Sequence, residues 1–236
     1  MTTISANVQA VTGRIDRALH EAGRAPQSVT LLAVSKTWPA GQLREAAACG
    51  QRDFGENYVQ EGLAKIEALA DLDLVWHFIG PLQSNKTGPV ARHFDWVHGV
   101  DRLKIAERLS AARGEMGAGV RPLQVCLQVN ISGEDSKSGV APAEVPALAR
   151  AVAVLPHLCL RGLMAIPEPT DDLALLRSRF AQLRQMLEAL QADGLALDTL
   201  SMGMSDDFEA AIREGATIVR VGSAIFGQRD YGTRTT

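Results

Sequence analysis

Lys36 stands at the end of Val29-Thr-Leu-Leu-Ala-Val34, a short aliphatic and β-branched run without polar alternation. A lysine ending such a run at the rim of a sheet is desolvated, which lowers its pKa and frees the amine to attack a carbonyl. On position alone, a lysine that snorkels from the strand end to water fits as well. Two glycine-bearing stretches far downstream shift that balance. Ser201-Met-Gly-Met-Ser205 ends an apolar run ahead of a helix start, where backbone N–H groups and the helix dipole favour an anion. Arg220-Val-Gly-Ser223 offers glycine for close backbone approach, a hydroxyl and a positive charge. An amine together with two anion-binding loops suits an aldehyde-bearing phosphate ester.

These residues need a scaffold that brings distant segments together, and the chain repeats one pattern throughout. A short apolar run, a polar junction and a helical stretch recur, as in βα units. The strand expectations are 29–34, 53–57, 74–79, 96–100, 123–131, 160–166, 199–204 and 218–226. The intervening helices are expected over 39–49, 58–69, from about 85, 102–113, 142–155, 171–191 and from Ser205-Asp206-Asp207. A further helix precedes them, because Ile4, Val8, Val11, Ile15 and Leu19 share one helical face. Eight strands alternating with helices predict a single (β/α)8 TIM barrel. The extra N-terminal helix replaces the one expected after the eighth strand. No linker or low-complexity segment interrupts the alternation, so residues 1–236 are expected to form one domain. In such a barrel the site lies at the C-terminal strand ends, and the loops after strands 7 and 8 usually bind phosphate. The stripe Leu173, Leu176, Phe180, Leu183, Leu187 and Leu190 has coiled-coil spacing, but an amphipathic helix lying on the barrel accounts for it more simply.

Composition narrows the function classes. Of 236 residues, 24 are basic and 27 acidic, giving a net charge of −3, so there is no basic excess for nucleic acid or an anionic membrane surface. Cys49, Cys126 and Cys159 are odd in number and lack CxxC spacing, which predicts buried thiols in a reducing compartment. No apolar run reaches the roughly 18 residues of a membrane span, and the N-terminus does not read as a signal peptide. A cytoplasmic location and a monomer are expected. His77, His93 and His98 fit no metal-ligand spacing; His77 at a strand end suits a pocket or hydrogen-bonding role.

The aldehyde-bearing phosphate ester that a lysine, a phosphate cradle and a ring-nitrogen partner would hold is most naturally pyridoxal 5′-phosphate. Leu32-Ala-Val-Ser-Lys36, Asp53-Phe-Gly-Glu-Asn57-Tyr58, Trp76-His-Phe-Ile-Gly80 and Leu82-Gln-Ser-Asn-Lys86 carry a family resemblance. So do Ser201-Met-Gly-Met-Ser205, Val219-Arg-Val-Gly222 and Ile225-Phe-Gly227. Together they resemble the YggS/PROSC family of pyridoxal phosphate homeostasis proteins, over nearly the whole chain. The resemblance implies a barrel similar to the N-terminal domain of alanine racemases, with the cofactor held on Lys36 as an internal aldimine. It further implies that Ser205, Gly222 and Ser223 hold the phosphate, that Arg220 faces the pyridine nitrogen, and that Asn57 and Ser201 line the pocket. An arginine there discourages ring protonation and makes the cofactor a weaker electron sink.

The preferred function is therefore a carrier that holds and buffers pyridoxal phosphate and delivers it to apo-enzymes by transient contact, without a dedicated reaction. A pyridoxal-phosphate amino-acid racemase or α-proton exchanger is the alternative. Two-base racemisation needs a second base opposite Lys36. The racemases similar to this fold supply it from a second domain, for which this chain length leaves no room. Tyr58 and Tyr231 are the only tyrosines, and Tyr58 suits a wall residue better than a base. A cofactor-free lysine aldolase is the remote third option. Lys137, in a polar loop on the functional face, suggests a second amine for transient transfer of the aldehyde, although a solvated loop lysine is the simpler expectation.

Overall fold

The computed structural model describes residues 3–133 and 138–227; Lys137 and Tyr231 lie outside them. The chain begins with α1 (Ile4–Glu21), β1 (Thr30–Val34), α2 (Ala40–Ala48), β2 (Asp53–Glu56), α3 (Val59–Ala68) and β3 (Val75–Phe78). It continues through α4 (Thr87–His93), β4 (Trp96–Val100), α5 (Leu103–Gly114), β5 (Leu123–Val129), α6 (Val145–Ala153) and β6 (Leu158–Ala165). The last elements are α7 (Leu173–Ala192), β7 (Thr199–Ser201), α8 (Phe208–Arg213), β8 (Ile218–Val221) and α9 (Ser223–Phe226). All neighbouring strands are parallel and follow chain order. β8 pairs back onto β1, from Thr30 opposite Ile218 to Ala33 opposite Val221, and closes the (β/α)8 barrel that the sequence predicts.

The apolar stripes of the helices pack on the outside of the sheet. On α1, Thr3 caps the first turn through Ala6 N–H, and Val8, Val11, Ile15 and Leu19 are buried. This helix packs against α8, α9 and α2, and so covers the seam between β8 and β1. On α7, Asp172 accepts from Ala174 and Leu175 N–H, and Leu176, Phe180, Leu183, Leu187 and Leu190 face the barrel. Leu173 does not join that stripe; as the first residue of the helix it is exposed. The stripe is thus consumed by the chain's own sheet.

Three expectations need correction. The apolar run from Ile218 to Phe226 is not one strand: β8 stops at Val221, Gly222 turns the chain, and Ser223 opens α9, which buries Ile225 and Phe226. The helix after β7 starts at Phe208, not at Ser205, because 205–207 form a turn in which Asp207 Oδ1 accepts Met204 N–H (2.5 Å). Of the cysteines only Cys126 is buried, Cys159 being half-buried and Cys49 exposed; burial pushes the Cys126 thiol up to about 12.

The barrel interior is divided. A small apolar group of Leu32, Ile79 and Ile218, joined by Val34 and Trp96, is separate from the large core between sheet and helices. The remaining interior holds the polar side chains His77, His98, Ser201 and Arg220, all buried, beside Cys126 and Met164. Gly162 on β6 lies so close to β7 that an added methyl would overlap the Thr199 carbonyl oxygen, which only a separation of these strands relieves. Gly162→Ala is therefore expected to destabilise the fold by about 3 kcal/mol or more, as for severe overpacking, measured by urea denaturation against the parent protein.

Candidate functional site

Lys36 sits in a tight turn just past β1. Ser35 N–H donates to Gly55 O (2.9 Å), which extends the β1–β2 pairing, and Trp38 N–H donates to Ser35 O (3.0 Å) across Lys36 and Thr37. Thr37 adopts φ +71°, a left-handed conformation that a β-branched side chain resists and that turns of this kind reserve for glycine. The turn is pinned from the α3 side. Lys65 Nζ donates to Ser35 O (2.7 Å), Glu56 Oε1 (2.7 Å) and Glu61 Oε1 (2.6 Å). Glu61 also accepts Thr37 N–H, and Ser35 Oγ donates to Glu56 Oε1 (2.5 Å). Burial raises the Glu56 pKa, against the opposing pull of Lys65 and Ser35. Side-chain alternation then turns Val34 and Lys36 to the opposite face of the wall from Ser35.

That face is a cleft of about 560 Å3 at the C-terminal mouth of the barrel, within the range of small-ligand pockets. Lys36, Asn57, Ser205, Arg220, Gly222 and Ser223 all line it, so six of the seven residues singled out in the sequence converge on one site. Val34, Trp38, Ile79, Ile166 and Met204 supply apolar walls, and Asp206 and Gly227 complete the lining. Trp38 stacks on Phe226 (6.0 Å between centroids), which fixes the wall beside Lys36. Gly222 passes close against the end of β1: a Cβ there would lie 3.1 Å from Val34 O and 3.4 Å from Val34 Cβ. Asn57 Oδ1 is buried and has no hydrogen-bond partner among the described residues, which leaves an unsatisfied acceptor beside the cleft. An amine, a guanidinium, two hydroxyls, a glycine cradle and an unpaired acceptor around apolar walls fit a flat, anionic, carbonyl-bearing molecule.

Arg220 is the buried cation of the site. Nη1 donates to Ser201 O (2.6 Å) and Ser201 Oγ (2.8 Å), and Nη2 donates to Ala165 O (2.8 Å). Burial draws its pKa down to about 10, so it stays charged at neutral pH. Ser201 does not line the cleft; it lies beneath Arg220 and is fully buried. Tyr58 is not a wall residue either, being exposed at the start of α3 outside the cleft lining. His77 is buried in the barrel and hydrogen-bonded, not part of the cleft surface, whereas His93 is exposed at the end of α4. Among the described residues no cluster of three or more His, Cys, Asp or Glu could hold a metal.

The fold and cleft define a barrel of the alanine racemase N-terminal class, and the family model described as "Alanine racemase, N-terminal domain" matches residues 7–230. The fold alone is shared with the alanine racemase of Corynebacterium glutamicum: TM-score 0.69, 17% identity, covering 94% of this chain and 62% of that one. Much nearer is PipY of Synechococcus elongatus PCC7942, solved with PLP bound: TM-score 0.79, 45% identity, covering 90% of this chain and all of that one. The pyridoxal phosphate homeostasis protein of Pseudomonas aeruginosa is 64% identical over 232 residues, 98% of either chain. The chain belongs to the pyridoxal phosphate homeostasis protein family.

The turn that carries Lys36 depends on a buried ammonium. Removing one partner of a buried ion pair costs about 3–5 kcal/mol, so Lys65→Met is expected to destabilise the protein by about that amount, read from its denaturation midpoint. A Lys65→Met protein as stable as the parent would show that the pin contributes nothing.

Proposed function

We propose that this protein binds pyridoxal 5′-phosphate on Lys36, and that it buffers the cofactor and passes it to apo-enzymes, with no reaction of its own. The observation that carries this is the convergence of the Lys36 amine and the Ser205, Gly222 and Ser223 cradle on one cleft floored by Arg220. Bound there, the cofactor contributes an aldehyde that condenses reversibly with an amine, losing water, and a pyridine ring that draws electrons. Lys36 is the condensing amine. Gly222 lets the backbone approach the phosphate, and the Ser205 and Ser223 hydroxyls donate to it. Asn57 lines the pocket, with its buried Oδ1 lacking a partner among the described residues. Arg220 faces the pyridine nitrogen, and its fixed charge keeps that nitrogen unprotonated, which weakens the ring as an electron sink.

The homeostasis role is supported by the 64% identity to the Pseudomonas aeruginosa protein of that name and by PipY with PLP bound. We place the protein in the cytoplasm, as a monomer delivering cofactor to apo-enzymes by transient contact. Three supports apply. No helix among the described residues is long and apolar enough to cross a membrane. The three thiols are free. The leucine stripe of α7 is spent on the chain's own barrel and is not available to a second copy.

Adding pyridoxal phosphate to the purified protein is expected to generate a visible absorption band, and Lys36→Ala to lose it. A band of equal strength in Lys36→Ala overturns the assignment of the lysine. An amino-acid panel incubated with loaded protein in deuterated water is expected to show no incorporation at the α-carbon. Robust, Lys36-dependent exchange would favour the racemase instead.

A further inference from the structure

A continuous line of buried polar side chains crosses the barrel from the far end to the cleft. It begins at Asp53, the first residue of β2, at the N-terminal face, whose side chain is 27% exposed. Asp53 Oδ1 lies 3.1 Å from His77 Nε2, and His77 Nδ1 lies 3.0 Å from His98 Nε2. His98 Nδ1 lies 2.8 Å from Ser201 Oγ, which receives Arg220 Nη1–H at 2.8 Å. The three central residues are essentially inaccessible to solvent. The line thus joins β2, β3, β4, β7 and β8, five of the eight staves.

The chemistry of its ends dictates the direction of every bond. An ionised carboxylate only accepts, and a guanidinium only donates. His77 therefore donates through Nε2–H to Asp53, and as a neutral ring it accepts at Nδ1. That acceptor requires Nε2–H on His98, whose Nδ1 in turn accepts the Ser201 hydroxyl proton. The Ser201 oxygen is left to accept from Arg220. Each atom finds one complementary partner, and no proton is added. The reversed order needs a doubly protonated His77 and gives Ser201 Oγ two N–H donors. Its hydroxyl proton would then have no partner in the line. Burial, together with the charge of Arg220, holds the His98 pKa well below the ordinary histidine value, which also keeps that ring neutral.

We propose that Asp53, His77 and His98 are positioning residues for the cofactor site: a one-way hydrogen-bond relay fixes the Ser201 hydroxyl as an acceptor for Arg220 and so aims the guanidinium into the cleft. Three of the five N–H donors of Arg220 are held at Ser201 and Ala165, which leaves the other two for the bound molecule. Hydrogen bonds in such a line polarise one another, so the acceptor strength of Ser201 depends on a carboxylate three side chains away. The trio touches no ligand; it acts only through Ser201 and Arg220.

The role toward the cofactor rests on the function proposed above, but the relay is testable without any cofactor. Nitrogen-15 NMR of the histidine rings in the cofactor-free protein at neutral pH is expected to find Nε2–H and unprotonated Nδ1 on both His77 and His98. Nδ1–H on either ring, or a doubly protonated ring, overturns the relay whatever the protein binds. The positioning role is then read from affinity for pyridoxal 5′-phosphate. His98→Phe, which strips Ser201 of its acceptor, is expected to weaken binding about ten- to a hundredfold, the equivalent of one hydrogen bond to a charged group. His98→Asn, whose Oδ1 can take the place of Nδ1, is expected to recover most of that loss. Asp53→Leu, at the opposite end from the cleft, is expected to introduce Nδ1–H at His98 and to weaken binding in the same direction. Folded variants with unchanged affinity, or an Asp53→Leu protein with unchanged tautomers, overturn the positioning role. If a His98 variant does not fold, the parent tautomers and Asp53→Leu decide the question. Failure of the parent protein to bind the cofactor would instead reject the proposed function and leave the relay standing.

Discussion

The buried ammonium of Lys65 is the interaction on which the site depends. A strand in a barrel wall exposes alternate residues to its two sides, so the amine of Lys36 can face the cleft only if its neighbours are held from the helix side. Lys65 does this by binding the Ser35 carbonyl while paired with Glu56 and Glu61. Glu61 takes the Thr37 N–H and stabilises a left-handed threonine that the isolated turn would not adopt. The Glu56 carboxylate and the Lys65 ammonium, buried between β2 and α3 with Glu61 half-buried beside them, are costly to desolvate. That cost falls where the structure holds the turn that carries Lys36.

On the other side of the same wall, the barrel interior departs from the layered aliphatic filling usual for this fold. Beside the apolar group of Leu32, Ile79, Ile218 and their neighbours, and beside Cys126 and Met164, it carries a polar line ending at Arg220. A guanidinium buried without a carboxylate partner at hydrogen-bond distance has to be stabilised by neutral acceptors. Ser201 O, Ser201 Oγ and Ala165 O serve that purpose. The outcome is a cleft lined by the Lys36 amine, the Arg220 guanidinium, a glycine and two serines, suited to a ligand carrying both negative charge and a carbonyl.

Much of this was legible in the sequence, for identifiable reasons. Strands buried on both faces appear as unbroken aliphatic runs, which located β1 and β5 and led to the barrel. Strand ends in a barrel are the site, which singled out Lys36, Ser205, Arg220, Gly222 and Ser223, whereas Asn57 came from the family resemblance. Other features were hidden because they depend on register or on tertiary contact. Lys65 stands four residues after Glu61 and looks like an ordinary surface pair on a helix, yet its side chain is 7% exposed. His77 and His98 meet only because β3 and β4 are adjacent at one register. Ser201 stood out as a lining residue, but the close approach of Arg220 covers it. Past Val221, Gly222 and Ser223 mark the break, but Ala224-Ile225-Phe226 resumes the apolar pattern and reads as more of the same strand.

The central claim is that one amine, that of Lys36, carries the cofactor. It is tested most directly by loading the protein with pyridoxal 5′-phosphate, reducing with borohydride and mapping the modified peptides by mass spectrometry. The account predicts a pyridoxyl group on Lys36 at one cofactor per chain. An unmodified Lys36 with the label on another lysine would contradict it.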